Sequence, residues 1–184
     1  VLIVTLSMAL TPIGFWLLEH VLEPRWNKRD ERKFDSLEDM PEHEVIIAGF
    51  GRVGQIIARI LRVHRIQFVA LESSARQVDF VRRFGNQVFY GKLDNLALLE
   101  AAVASKAKLL VLAIDDVEES LRTAQLVRHH YPKLPVYARA RDRMHAYRLM
   151  DLGIDVVHRE TLGSSLEMAR DVLVNIGFNQ VNAE

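Results

Sequence analysis

Gly49-Phe50-Gly51-Arg52-Val53-Gly54 spells G-x-G-x-x-G directly after the apolar run Val45–Ala48, and Glu72 closes a second run, Phe68–Leu71. Glycines at this spacing suit the holding of a pyrophosphate. The first permits a tight turn, the second lets the main chain approach the phosphates, and the third lets a helix pack closely on the strand. The free N–H groups at the helix start then face the anion. An acid about 20 residues further on accepts hydrogen bonds from both ribose hydroxyls and repels a 2′-phosphate, so NAD or an adenine nucleotide is favoured over NADP. The competing reading is a turn that keeps its glycines for packing alone.

Such a turn works only between a strand and a helix. After it, Val53, Ile56, Ile57, Ile60 and Leu61 give the apolar spacing of one helix face as far as about Val63. The alternation continues with helix Ala75–Phe84, strand Gln87–Tyr90, helix Asn95–Ala102 with Asp94 as its cap, and strand Leu109–Ile114. Asp115-Asp116 cap a helix over Val117–Tyr131, which Pro132 and Pro135 end. Strand Val136–Arg141, helix Met144–Leu152, the short strand Val156-Val157 and helix Thr161–Ile176 follow; the last helix has Leu162, Leu166, Ala169, Leu173 and Ile176 on one face. Six strands alternating with helices make an α/β, Rossmann-like doubly wound parallel sheet. Ligands of such sheets bind beyond the carboxyl ends of the strands, which brings Gly49–Gly54, Glu72, Gly91-Lys92, Ile114-Asp115 and Arg139-Ala140-Arg141 toward one crevice.

The chain has 184 residues, 49% of them apolar, enough for one cored domain with an appendage. Its 24 basic and 24 acidic residues balance, so no overall field argues for a nucleic-acid partner. The absence of cysteine excludes disulfides, thiolate metal sites and a cysteine nucleophile, and the seven histidines have no metal-ligand spacing. Hydride transfer needs an acid or base beside the nicotinamide. No tyrosine here is followed four residues on by lysine, and there is no Gly-x-Ser-x-Gly, so a bound nucleotide is expected to act as a signal rather than in turnover. Arg52, Gln55, Arg59 and Arg62 fall on the outer face of the first helix, and Arg139, Arg141 and Arg143 cluster after the fifth strand.

Residues 1–22 read as a membrane-spanning helix. Val1 to Leu18 is almost wholly apolar, about 27 Å long at about 1.5 Å per residue, and Trp16 lies near one end. Pro24 to Lys33 carries five basic residues against two acids, which marks the cytoplasmic side. Residues 23–43 are then a cytoplasmic linker, whose acidic part from Phe34 to His43 reads as solvated, and 44–184 is the nucleotide-binding domain. An apolar start without methionine reads as the tail of a longer membrane protein.

Leu6-Ser7-Met8-Ala9-Leu10-Thr11-Pro12, the linker, Ile47 to Gln55, Val88-Phe89-Tyr90-Gly91, Ala138-Arg139-Ala140-Arg141-Asp142 and Arg159-Glu160-Thr161 occur in this order. Together they resemble the end of a Kef-type glutathione-regulated potassium efflux antiporter, from its last membrane helix into its nucleotide-binding regulatory (RCK/KTN, TrkA-N) domain. The resemblance implies a potassium–proton antiporter of the bacterial inner membrane, kept shut by glutathione and opened by glutathione adducts. It also implies NAD(H) or AMP in the crevice, a regulatory homodimer, and a flavodoxin-like ancillary protein. By motif position, Arg59 and Arg159 match arginines that hold the tripeptide's carboxylates, a bidentate task suited to guanidinium. Gly91-Lys92-Leu93-Asp94 departs from the family's Gly-Asp-Ala-Thr, placing a cation where an acid is usual, and the chain ends before a further helical segment of the family. Two other classes fit less well: the nucleotide-gated domain of a potassium channel or uptake system, and a small NAD-dependent oxidoreductase.

Overall fold

The computed structural model describes residues 11–12, 35, 41–83, 88–104 and 107–178. The chain divides into two compact units, Val1–Lys33 and Phe34–Glu184. The helix expected over residues 1–22 lies outside the described residues apart from Thr11 and Pro12; among those described, no helix is long and apolar enough to cross a membrane.

In the second unit the strands are β1 (Val45–Ala48), β2 (Phe68–Glu72), β3 (Phe89–Tyr90), β4 (Leu109–Leu112), β5 (Val136–Ala140) and β6 (Val156–Arg159). They form one parallel sheet in the order β3-β2-β1-β4-β5-β6. The helices between them are α1 (Arg52–Val63), α2 (Ala75–Arg82), α3 (Leu96–Ala104), α4 (Val117–His130) and α5 (Arg143–Asp151), with α6 (Leu162–Asn175) after β6. This is the doubly wound architecture expected from the alternation. β1 is buried along its whole length, which is why its sequence is an unbroken apolar run.

Helices α1 and α2 cover one face, where Phe50, Ala58, Val78 and Val81 meet Ile47, Ala70 and Val111. On the other face α3, α4 and α5 bring Leu99, Ala102, Leu121, Ala124 and Leu149 against Ile46, Leu71, Leu110 and Ala138. Strand order reverses between β1 and β4, and the crevice opens above that point. Ser74, Asp116 and Asp142 accept the N–H groups of Gln77, Glu119 and His145 and so fix the starts of α2, α4 and α5.

Four expectations change. The cap of α3 is not Asp94, whose carboxylate binds Arg122 at 3.0 Å; Asn95 accepts the N–H of Ala97 at 2.9 Å. On α1, Ile56 and Ile60 are 60% and 54% exposed, because the sheet meets only the Gly54/Ala58 side and its flanks. Helix α6 has no buried residue, since nothing among the described residues covers its apolar side. The Phe34–His43 segment is not simply solvated: Asp35 bonds to β3 and α2, while His43 is buried, its Nε2 2.7 Å from Ala102 O.

Candidate functional site

Gly49 turns the chain out of β1 with φ +95, and a β-carbon there would lie 2.7 Å from the backbone of Ala113 at the end of β4. Both the turn and the close approach therefore require glycine. Gly51 caps α1 in an extended conformation with no side-chain hydrogen bond, leaving the helix start without a capping acceptor or a first-turn acid. A β-carbon on Gly54 would come 2.2 Å from Gly49 O, so the third glycine serves the contact between helix and turn.

Gly49, Gly51, Glu72, Ile114 and Asp115 line one cleft of about 280 Å³, together with Ser73, Ser74, Gln77, Leu93, Ala113, Asp116 and Glu119. Glu72 is 8% exposed. One of its carboxylate oxygens accepts the N–H of Phe50 and the other that of Ser74, each at 2.8 Å. The acid thus ties β2 to the glycine turn, and its carboxylate keeps lone pairs able to accept further hydrogen bonds.

The far wall is acidic. Asp116 spends its carboxylate on the N–H of Glu119, and Glu119 accepts from Ser73 Oγ at 3.2 Å. Burial pushes the Glu119 carboxyl up, and the charges of Asp94, Glu72 and Asp116 add to the rise against the hydrogen bond from Ser73. Asp115 is balanced by Arg139, only 7% exposed, which also donates to Ile114 O at 3.3 Å and from Nε to Glu160 at 3.0 Å. Burial works against the Arg139 charge, but its bonds to Glu160 and Asp115 prevail and hold its pKa above the usual value. Glu160 in turn reaches Arg52 at 3.1 Å. This chain of charges joins the first turn of α1, the cleft wall and the end of β6.

Not every residue singled out by sequence enters the cleft. Phe50 buries its ring in the core and Val53 packs beside it, while Arg52 and Lys92 are exposed outside the lining. Arg139 does not line the cleft: it pairs with Asp115 of the cleft wall and with Glu160, and lines a separate hollow with Val53, Ile57 and Tyr137. Arg59 is exposed on α1, whereas Arg159 lines a separate hollow with Arg143, Tyr147, Met150 and Leu166 between α5 and α6. Arg59 does not line that hollow, and α1 and α5 cover opposite faces of the sheet. Sequence reasoning passed over Ser74, Gln77 and Glu119; the Ser-x-x-Gln spacing of a capping box marks the first two. Among the described residues no group of three or more histidine, aspartate or glutamate side chains is placed to hold a metal ion.

The TrkA-N domain model matches residues 45–160. The chain belongs to the TrkA-N family. The Kef-type resemblance also holds: the Kef CTD of Shewanella denitrificans in its AMP-bound form is 40% identical with a TM-score of 0.66, over 76% of this chain and 86% of that one. The TrkA-N domain of inner membrane protein ybaL from Escherichia coli is 26% identical with a TM-score of 0.60, over 75% of this chain and 98% of that one. The GsuK channel bound to NAD shares the fold at 18% identity and a TM-score of 0.61, over 87% of this chain and 28% of that one. The TrkA-N domain here thus has a sheet built for a nucleotide and Kef-type motifs around it.

Proposed function

We propose that this TrkA-N chain is the nucleotide-binding regulatory part of a Kef-type potassium–proton antiporter, lying on the cytoplasmic side of the bacterial inner membrane. The observation that carries the reading is convergence: the uncapped start of α1 and the Glu72 carboxylate open on one cleft at the strand-order reversal. AMP or NAD(H) places its phosphate against the Gly51 turn and its ribose hydroxyls on Glu72. The AMP in the Shewanella denitrificans relative supports this ligand class. The chain acts by ligand-dependent conformation, not by turnover.

Glutathione is the second ligand, held by Arg59 and Arg159. Since the two lie on opposite faces of one protomer's sheet, the site forms between two copies, with Arg59 from one and Arg159 from the other. A flavodoxin-like ancillary protein is a further partner of the assembly. Ligand binding favours one dimer arrangement, and the linker passes it to the upstream membrane domain; a ligand does so only through different affinities for the two states.

Calorimetric titration with AMP tests the nucleotide reading. Wild type binds, and Glu72→Ala, which removes the ribose acceptor, weakens binding about tenfold or more, equivalent to roughly 1.4 kcal/mol. Equal affinity in the two proteins refutes the assignment of Glu72. Titration with glutathione tests the second site: binding that survives Arg159→Ala refutes that assignment.

A further inference from the structure

Asp35 has the setting of a solvated linker residue, yet it is bonded on three sides. Its N–H donates to Tyr90 O at 3.2 Å, the Tyr90 N–H donates back to the Asp35 carboxylate, and Arg82 donates to the same oxygen at 2.6 Å. Arg82, at the end of α2, also donates to Val88 O from Nε at 3.1 Å and from Nη2. Asp35 thus covers the hydrogen-bonding edge of β3, its carboxylate taking the place of a neighbouring strand's carbonyl. The pair is half-buried, the side chains of Arg82 and Asp35 being 34% and 23% exposed.

β3 is an edge strand of only two residues, Phe89 and Tyr90, which pack half-buried on the two hydrophobic clusters of the domain. Its inner neighbour is the end of β2, with Tyr90 in register with Glu72 and the Gly91 N–H donating to Glu72 O at 3.0 Å. Leu93, two residues beyond Gly91, lines the cleft. Tyr90 therefore lies between the acid of the cleft and the residue where the upstream chain joins the domain. We propose that Asp35 and Arg82 form a latch coupling occupancy of the Glu72 cleft to the chain upstream of residue 35. The coupling rests on the nucleotide reading above. A ligand on Glu72 fixes the end of β2, Tyr90 then holds Asp35 more firmly, and by reciprocity a closed latch tightens ligand binding by the same factor.

The test uses the full 184-residue chain, with AMP as ligand, in wild type, Asp35→Ala, Arg82→Met and the double variant. Affinity is read by calorimetry and hydrogen exchange at the Tyr90 amide. Each single variant is expected to weaken AMP about fivefold or more, the lower range of allosteric coupling, and the double variant no more than the worse single one. AMP slows Tyr90 exchange in wild type and not in the variants. Lys108→Met, which breaks the exposed pair with Glu44 at the other end of the sheet, leaves the affinity unchanged. Thermal melts establish that the variants fold; should Asp35→Ala not fold, Asp35→Asn, which keeps an acceptor and drops the charge, is expected to show a partial loss. Wild-type binding that the folded variants retain undiminished overturns the coupling alone. A wild-type chain that binds neither AMP nor NADH overturns the nucleotide reading and the coupling with it.

Discussion

Gly49 and Glu72 show how much of the site rests on single residues. Gly49→Ala meets two penalties: a side chain at φ +95 and a β-carbon 2.7 Å from the main chain of Ala113, where backbone on both sides leaves nothing to yield. Strain of this kind costs about 1–3 kcal/mol, and the steric clash adds to it. Thermal unfolding of Gly49→Ala is therefore expected to show a loss of about 3 kcal/mol or more together with loss of AMP binding; an unchanged melting temperature would remove the geometric account of the turn. This position was legible in the sequence because its cause is local, a glycine immediately after an apolar strand. Arg139 was legible only in part. Its place at a strand end put it near the crevice, but its partners Asp115 and Glu160 come from β-ends 24 and 21 residues away, and no local pattern announces that two carboxylates will claim it.

At the scale of elements, the alternation of strands and helices follows from apolar runs and helical spacing, and the structure has the expected order. What escaped was which side of a helix meets the sheet. α1 has a broad apolar side, yet Gly54 and Ala58 make the closest contact, because small residues let the helix settle on the glycine turn and so leave Ile56 and Ile60 outward. α4 holds its cleft-lining acid in the same unannounced way: Glu119 belongs to a first turn rich in acid, where a solvated, dipole-favoured carboxylate is the ordinary reading, and only the fold turns it into the cleft wall. Its raised pKa has a consequence for ligand binding. A group whose folded pKa is raised takes up its proton at higher pH than in the unfolded chain, where 4.5 is usual, so the charged form disfavours the fold and that penalty is relieved as pH falls. An anion in the cleft raises it further. Affinity for NAD, whose pyrophosphate charges do not titrate here, is expected to increase as pH falls from neutrality toward 4.5. Glu119→Gln should bind NAD about fivefold more tightly at neutral pH, for roughly 1 kcal/mol of repulsion removed, with a flatter pH profile. A pH profile identical to wild type would show that Glu119 does not face the ligand's charge.

At the scale of the whole molecule, α6 is the element least explained by a single chain. Leu166, Met168, Val172 and Ile176 are 61%, 70%, 54% and 66% exposed, and the hollow between α5 and α6 that holds Arg159 is bounded by Tyr147, Met150 and Leu162. A second apolar surface lies on the α1 side of the sheet, where Val53, Ile57 and Leu61 stand beside Tyr137 and His158 and, among the described residues, no helix covers β5 and β6. The described residues of one protomer leave both surfaces open to water, at a cost of about 25 cal/mol for each Å² of apolar area, whereas two copies can cover them together. The sequence showed α6 as amphipathic but not what would cover it, since the periodicity of a helix facing its own core and of one facing another chain is the same. Leu166→Glu places a charge in the centre of this surface at little expense to the isolated protomer, where Leu166 is already exposed. Sedimentation of wild type is expected to give twice the protomer mass and Leu166→Glu the protomer mass, with AMP affinity within about twofold of wild type because the cleft is complete in one chain. If glutathione is held by Arg59 and Arg159 of different copies, as proposed above, its binding is expected to disappear in the same variant. A wild-type monomer that binds glutathione, or a Leu166→Glu monomer that retains it, would contradict a site shared between two chains and require both arginines to reach the ligand from one.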